Sequence, residues 1–511
     1  MNELIRSFSD DFDKIVSANS SNTALICDIG TDETTINYKE LSIIVDRFLS
    51  LFKNKGLKSE DCILAILPNS AENLACCLAT IKGGYGFAPL PCNVSKQEVL
   101  SWINLVKPRL GIIAEIANSD IQDAISQSQI DIISIKTDSS FDWLPESSYL
   151  DKTGGNSRIY LSTSGTEGEP KAIVIDGNKL WSSGCAFMNY LELNDNSLRF
   201  WNYLPMSYLG GLYNLGLIPL CVGASTVITE PFNGKTFLSF WQIVERFEIN
   251  TLWLVPTIVR GLIAIAERTR RHQVKDYSNL IKNCFIGTAP IDLTTKQKFE
   301  QMFCLTMLEN FALSETTFCT SETVNSINNR IEGSTGEILP YVELKIDTIN
   351  PEDDQESKNL GEIKVKSPFL FLGYLQEDGE IFFPVDKDGY LATGDLGHIS
   401  NNTLILDGRK RDIIKKGGYF ISLREIEVLA EKNEAIAEAA AVKIPHDFYG
   451  ESYLLFIRLK ESYKNTENDT VSWLHNNLVK YKWPENVIIK DRFPVTSSNK
   501  VRKNILMEEN V

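Results

Sequence analysis

Tyr160-Leu161-Ser162-Thr163-Ser164-Gly165-Thr166-Glu167-Gly168-Glu169-Pro170-Lys171 is the stretch on which the reading of this chain turns. Small residues here let backbone N–H groups approach a polyphosphate and point at it. Ser162, Thr163, Ser164 and Thr166 add hydroxyl donors, and Lys171 adds a positive charge. The P-loop of ordinary NTPases needs Gly, four residues, then Gly-Lys-Ser/Thr. Gly165 and Gly168 are too close together for that, and Pro170 precedes the lysine, so that class is disfavoured. Taken alone, the same residues also suit a polar surface loop, and context has to decide.

The order of residue types resembles the phosphate-loop signature of the acyl-adenylate-forming (AMP-binding) superfamily, which contains acyl-CoA synthetases, adenylation domains and luciferases. Further landmarks of that family follow in order. Gly287-Thr288-Ala289-Pro290 resembles its adenine-flanking turn, and Asn310-Phe311-Ala312-Leu313-Ser314-Glu315 its aromatic-Gly-x-Thr-Glu motif. Tyr390-Leu391-Ala392-Thr393-Gly394-Asp395 resembles its ribose motif, Gly408 to Lys415 its hinge, and Ser498-Asn499-Lys500-Val501-Arg502 the segment of its C-terminal catalytic lysine. Upstream, Leu67-Pro68-Asn69-Ser70 through Pro89-Leu90-Pro91 is similar to its early strand, helix and Pro-Leu segment, so the resemblance covers nearly the whole chain.

The resemblance implies an AMP-forming carboxylic acid ligase using ATP and Mg²⁺. Thr163, Ser164, Gly165, Thr166, Gly168 and Lys171 would hold phosphates; Gly287, Ala289, Pro290 and Phe311 would flank adenine, with Asn310 and Ser314 also binding ATP; Asp395 and Arg409 would take the ribose hydroxyls. Glu315 would contact the metal, with Lys500, Glu315 and Thr166 as the catalytic set. A carboxylate attacking the α-phosphorus meets a highly anionic nucleotide, so cations and N–H donors must cancel repulsion and stabilise the leaving pyrophosphate. Arg411 falls at the expected pivot of a rotating C-terminal domain, and a charged pivot stays hydrated while its torsions change. The implied domains are 1–408, binding acid and ATP, and 409–511, a mobile lid.

This chain departs from the family pattern at several points. Tyr208 stands where many members carry histidine, Ala312 replaces glycine, Ser314 replaces threonine, and Asn499 replaces the glycine before the lysine. Asparagine tolerates left-handed backbone angles better than most residues, so that turn survives. The acid pocket is expected between residues 201–217 and 286–313, with Tyr208, Gly210, Gly211 and Leu313 lining it. It is apolar and has no aspartate for an ammonium group, so an α-amino acid would leave its charge unpaired; an aryl or acyl acid is expected. Gly417 and Gly418 match the loop lining the pantetheine tunnel, which implies a phosphopantetheine thiol, on CoA or on an acyl carrier protein. The basic run Arg268-Arg270-Arg271-His272 suits either a CoA phosphate or a solvated helix end.

Composition fits such an enzyme. Lys plus Arg number 51 against 67 Asp plus Glu, a net charge of −16, so no general attraction to nucleic acid is expected. The ten cysteines are scattered with no CxxC pair, which indicates neither a disulfide framework nor a zinc site and suits a reducing, cytoplasmic setting. The first residues read as an amphipathic helix and not as a leader. Residues 200–229 carry no charge, but Asn214, Pro219 and the glycines favour a buried helix followed by a strand at 225–228 over a membrane span.

Elsewhere apolar runs at 24–27, 62–66, 110–114, 132–135 and 172–175 read as strands, separated by helical patterns such as 38–52 and 71–81. That alternation implies a layered α/β domain with largely parallel sheets. Between 344 and 403 shorter strands and turn signals imply a small β subdomain, with a polar, acidic loop at 350–359, before a smaller α+β C-terminal unit.

Overall fold

The computed structural model describes residues 4–29, 32–117, 121, 125, 128, 130–147, 156–163, 171–268, 276–348, 361–417, 419–460, 463, 467–494 and 501–508. The expected loop at 350–359 and all of the basic run except Arg268 lie outside them. Among the described residues the strands form three sheets. The first has eight strands. Its parallel part runs Arg158–Thr163, Gly86–Leu90, Cys62–Ile66, Leu110–Ala114 and Asp131–Ile135, and it is extended antiparallel by Lys171–Asp176, Gly373–Leu375 and Ile381–Phe382.

The second sheet has thirteen strands and changes character at Met307–Leu313. On one side lie parallel neighbours, beginning with Asn283–Ile286 and Thr251–Leu254; on the other, Thr317–Ser321 pairs antiparallel and leads to Ser334–Ile338, Thr403–Arg409, Leu391–Ser400, Gly361–Lys366 and Glu343–Thr348. The expected small β subdomain is therefore continuous with the large α/β sheet. Turn chemistry shows in sequence, but pairing across distant segments does not, so the join at Met307–Leu313 was not visible there.

Ala71–Gly83 is buried almost all round. Its small residues, Ala71, Ala75, Cys76, Cys77 and Ala79, permit close approach on every face, which is why the adjacent cysteines occur there as inert packing groups. Ser70 caps its N-terminus by accepting from the Asn73 N–H, and Gly84 closes its C-terminus in the left-handed region. The first helix, Phe8–Asn19, begins later than the sequence pattern suggests because Ser7 caps it.

The charge-free stretch resolves as a π-type turn of helix, Gly210–Leu217, then Ile218–Cys221 and the strand Ser225–Thr229. No described helix is long and apolar enough to cross a membrane. The third sheet, of five strands, belongs to the C-terminal unit and has its own core around Ile421, Ile426, Tyr453 and Ile457.

A Cβ placed on Gly211 would lie 2.3 Å from the carbonyl oxygens of both Leu204 and Pro205. Gly211→Ala should therefore cost about 1–3 kcal/mol and lower the melting temperature in calorimetry; an unchanged melting temperature would contradict this packing.

Candidate active site

The strands Arg158–Thr163 and Lys171–Asp176 pair from Arg158 opposite Asp176 to Thr163 opposite Lys171. The described chain thus leaves the sheet at Thr163 and resumes directly opposite, at Lys171. Ser164, Gly165, Thr166 and Gly168 lie outside the described residues, and Thr163 and Lys171 are placed through their backbones alone.

On the far side of Lys171–Asp176, the strand Gly373–Leu375 sets Leu375 opposite Ala172. From it the Tyr374 hydroxyl donates to Glu315 Oε1 at 2.9 Å, and the Phe371 N–H donates to the Glu315 carbonyl at 2.9 Å. Glu315 stands in the turn between Met307–Leu313 and Thr317–Ser321, in the other sheet. Two sheets therefore meet at this carboxylate, beside the exit of the glycine-rich hairpin. Burial, and then the Glu315 charge, raise the Tyr374 pKa, which keeps the phenol a donor. Tyr374 escaped the sequence reading because nothing local marks a partner 59 residues away.

Asn310 and Phe311 are both buried. The Asn310 Oδ1 lies 2.8 Å from where a Cβ on Gly287 would stand, so a larger residue there would push the Asn310 amide aside. The Asn310 Nδ2 is buried with no hydrogen-bond partner among the described residues, a donor available to a ring nitrogen. Thr288, at φ 72° in the turn after Asn283–Ile286, and Thr317, at φ 58° where Thr317–Ser321 begins, are β-branched residues in the left-handed region. Strain of this kind persists where the surroundings over-determine it, often at ligand sites. Ala289 is half-buried, Pro290 exposed, and Ser314 half-buried.

Beneath these residues lies a set of buried charges that sequence reading missed. Lys296 Nζ meets Glu309 Oε2 at 3.1 Å and Glu322 Oε2 at 2.7 Å; Arg330 meets Glu322 and Glu300, each at 2.8 Å. The same carboxylates clamp the backbone. Glu322 accepts from the Glu309 N–H at 2.8 Å, Glu300 accepts from the Met307 N–H at 2.7 Å, and Arg330 donates to the Met307 carbonyl. Burial pushes Glu309 up to about 7, against the pull of Lys296. An acid inside an otherwise apolar strand was the available signal.

Asp395 and Arg409 face each other across paired strands, with Arg409 Nε 2.9 Å from Asp395 Oδ1. The Thr393 hydroxyl accepts from the Asp395 N–H at 3.0 Å and donates to the Ile363 carbonyl at 2.7 Å, which fixes the chain on either side of Gly394, φ 73°. An open cavity of about 360 Å³ is lined by Thr393, Gly394, Arg409 and Lys410.

Tyr208 is half-buried, and burial raises its pKa. Its ring crowds Gly210, where a Cβ would come within 2.5 Å of it. Asn69 anchors this segment, donating to the Leu204 carbonyl at 2.9 Å and accepting from the Met206 N–H at 2.9 Å. Gly211 is buried, and Leu313 is half-buried at the end of Met307–Leu313. Arg411 lies in the one-turn 3₁₀ segment Lys410–Asp412, and its side chain is outside the described residues, as are Gly418 and Lys500. Gly417, at φ 57°, donates its N–H to the Tyr449 carbonyl at 3.1 Å. The segment holding Lys500 is bracketed by the Arg502 N–H donating to the Pro494 carbonyl at 2.8 Å and by Lys503, 2.8 Å from Glu427.

No group of three or more His, Cys, Asp or Glu able to hold a metal occurs among the described residues. A single carboxylate beside a phosphate loop still fits magnesium, which binds through one or two carboxylates plus substrate phosphates and water.

Residues 12–375 match the family model described as AMP-binding enzyme, and residues 425–500 match the AMP-binding enzyme C-terminal domain. The chain is 25% identical to the oxalate–CoA ligase of Arabidopsis thaliana, covering 93% of each chain. It is 26% identical to the indoleacetate–CoA ligase of Aromatoleum aromaticum, covering 92% of each. Its fold is similar to that of ATP-bound MatB from Rhodopseudomonas palustris, with a TM-score of 0.86, 21% identity and 99% of each chain covered.

Glu309 binds a proton more tightly folded than unfolded, where a glutamate titrates near ~4.3. Its contribution to stability is therefore most favourable at low pH and declines as pH rises towards about 7. Glu309→Gln should remove that decline, so that the melting-temperature difference between variant and wild type shifts in the variant's favour from pH 5 to pH 7.5. A difference independent of pH would contradict the assignment.

Proposed function

The chain belongs to the AMP-binding enzyme family, and from that premise we propose that it couples ATP cleavage to joining an aryl or acyl carboxylic acid to the thiol of CoA. The observation that carries this reading is Glu315, held by Tyr374 beside the glycine-rich hairpin at the meeting of two sheets. The acid's carboxylate oxygen attacks the α-phosphorus of ATP, pyrophosphate leaves, and the acyl-adenylate forms; the thiol then attacks the acyl carbon and AMP leaves.

Each residue cluster has a distinct part in this scheme. Adenine lies between the Gly287 to Pro290 turn and Phe311, with Asn310 Nδ2 supplying the unpaired donor. Asp395 and Arg409 take the ribose hydroxyls at the cavity lined by Thr393 and Gly394. The hydroxyls and N–H groups of 163–168, with Lys171, hold phosphates, and Glu315 holds the Mg²⁺ that neutralises their charge when bound. Lys500 reaches the reacting carboxylate in the first half-reaction. Rotation about Arg411, separating 1–408 from 409–511, brings Gly417 and Gly418 to the pantetheine arm. The apolar surroundings of Tyr208, Gly210, Gly211 and Leu313 favour an uncharged acid body over an α-amino acid.

Pyrophosphate release from Mg-ATP should require an acid, and Lys500→Ala should slow it by about a hundredfold or more, the range for removing a preorganised charge. Thioester should form with free CoA. Thioester only with a carrier protein would move the acceptor, and no pyrophosphate with any acid would overturn the ligase reading. Tyr374→Phe should raise the KM for Mg-ATP through loss of the hydrogen bond that holds Glu315, by about tenfold for a charge-assisted bond; steady-state kinetics at varied Mg-ATP measures this.

A further inference from the structure

We propose that Arg260 is a positioning residue that latches the lid, through Glu431, beside the Gly287 to Pro290 turn and so holds the lid in the position that serves adenylate formation. This rests on the reading that 409–511 rotates about Arg411 between the two half-reactions. Arg260 lies on the helix Pro256–Arg268. Its Nη2 stands 3.5 Å from Asp292 Oδ2 and 3.8 Å from Glu431 Oε2, so one guanidinium serves both carboxylates. Asp292 caps Leu293–Phe303 by accepting from the Thr295 N–H at 2.7 Å, and it comes two residues after Pro290. Glu431 is the last residue of Leu423–Glu431, a helix of the lid.

Chain order makes this contact specific to one lid position. Arg260 and Asp292 precede the pivot and Glu431 follows it, so rotation at Arg411 carries Glu431 away from its cation. In the position described, Gly417 is exposed beside Tyr449 of its own unit, so this part of the loop assigned to the pantetheine arm stands open to solvent. The lid therefore stands as it does before thiol transfer. Burial raises the Glu431 pKa, Arg424 and Arg260 pull it back, and Glu427 and Asp292 push it further up. Arg424 is 3.2 Å from Glu427, which also takes Lys503 at 2.8 Å, so both of these cations are engaged inside the lid. Without Arg260, the Glu431 and Asp292 carboxylates would face each other across the two units as like charges. The three side chains are 23% to 39% exposed, and ion pairs at such exposure are weak. A weak tie suits a lid that must release once in every turnover.

The test separates the two half-reactions on the full-length protein. Acid-dependent ATP–pyrophosphate exchange reports adenylate formation, with whichever of benzoate, phenylacetate, butyrate or octanoate the wild type activates. Single-turnover reaction of the bound acyl-adenylate with CoA reports the second step. Arg260→Ala should slow exchange by about fivefold, the upper range for such a pair, and leave the thiol step unchanged or faster. Adding Glu431→Gln to Arg260→Ala should restore part of the exchange rate, because Asp292 then faces a neutral amide. Arg260→Lys keeps the charge and should retain most of the exchange rate, which keeps the test readable if Arg260→Ala folds poorly. Equal slowing of both steps, an unchanged exchange rate in Arg260→Ala, or no recovery in the double variant would overturn the proposal and leave Arg260 as support for the Asp292 cap alone. A wild type that exchanges pyrophosphate with none of these acids would instead sink the ligase reading, and the proposal with it.

Discussion

The strand Met307–Leu313 is the constraint on which the rest depends. It is the last parallel strand of one half of the thirteen-stranded sheet and the first antiparallel strand of the other. A slip of one residue would exchange the faces of Asn310 and Phe311, because side chains alternate along a strand. Apolar burial alone would not prevent such a slip, since Leu308 and Phe311 both find cover in the core. The backbone clamps from Glu300, Glu322 and Arg330 do prevent it, since they bind particular N–H and C=O groups. Carrying Lys296 and Glu322 at 2% exposure is expensive unless both are paired, and here both are.

The same strand transmits that order to the chemistry. It ends in the turn carrying Glu315, and Tyr374 ties that turn to the other sheet next to the glycine-rich hairpin. Segments far apart in sequence are thereby held against each other by short, directional bonds. The net charge of −16 works against binding a polyanion, whereas the cavity beside Gly394 is lined locally by two cations, Arg409 and Lys410.

Much of this was legible in the sequence. The α/β alternation, the early strands and the helix at Ala71–Gly83 follow from periodicity and caps, and ordered motifs located Asp395 with Arg409 and Gly287 with Asn310 before any contact was known. The features that escaped are those formed by tertiary pairing. Lys296 resembles any polar residue of an amphipathic helix, and only the fold reveals that it is interior. Tyr374 likewise carries no local periodic mark, because it acts through a partner from a distant segment. The small β subdomain was read correctly as short strands, yet its continuity with the main sheet depended on a register that composition does not encode.

The central claim is that a carboxylate oxygen attacks the α-phosphorus of ATP. Supplying the acid with both carboxylate oxygens labelled with oxygen-18, and analysing products by mass spectrometry, tests it most directly. The bridging oxygen of an acyl-adenylate stays with phosphorus when the thiol displaces AMP, so the account predicts one labelled oxygen in AMP and one in the thioester. Unlabelled AMP, or label in inorganic phosphate with ADP as the nucleotide product, would contradict it.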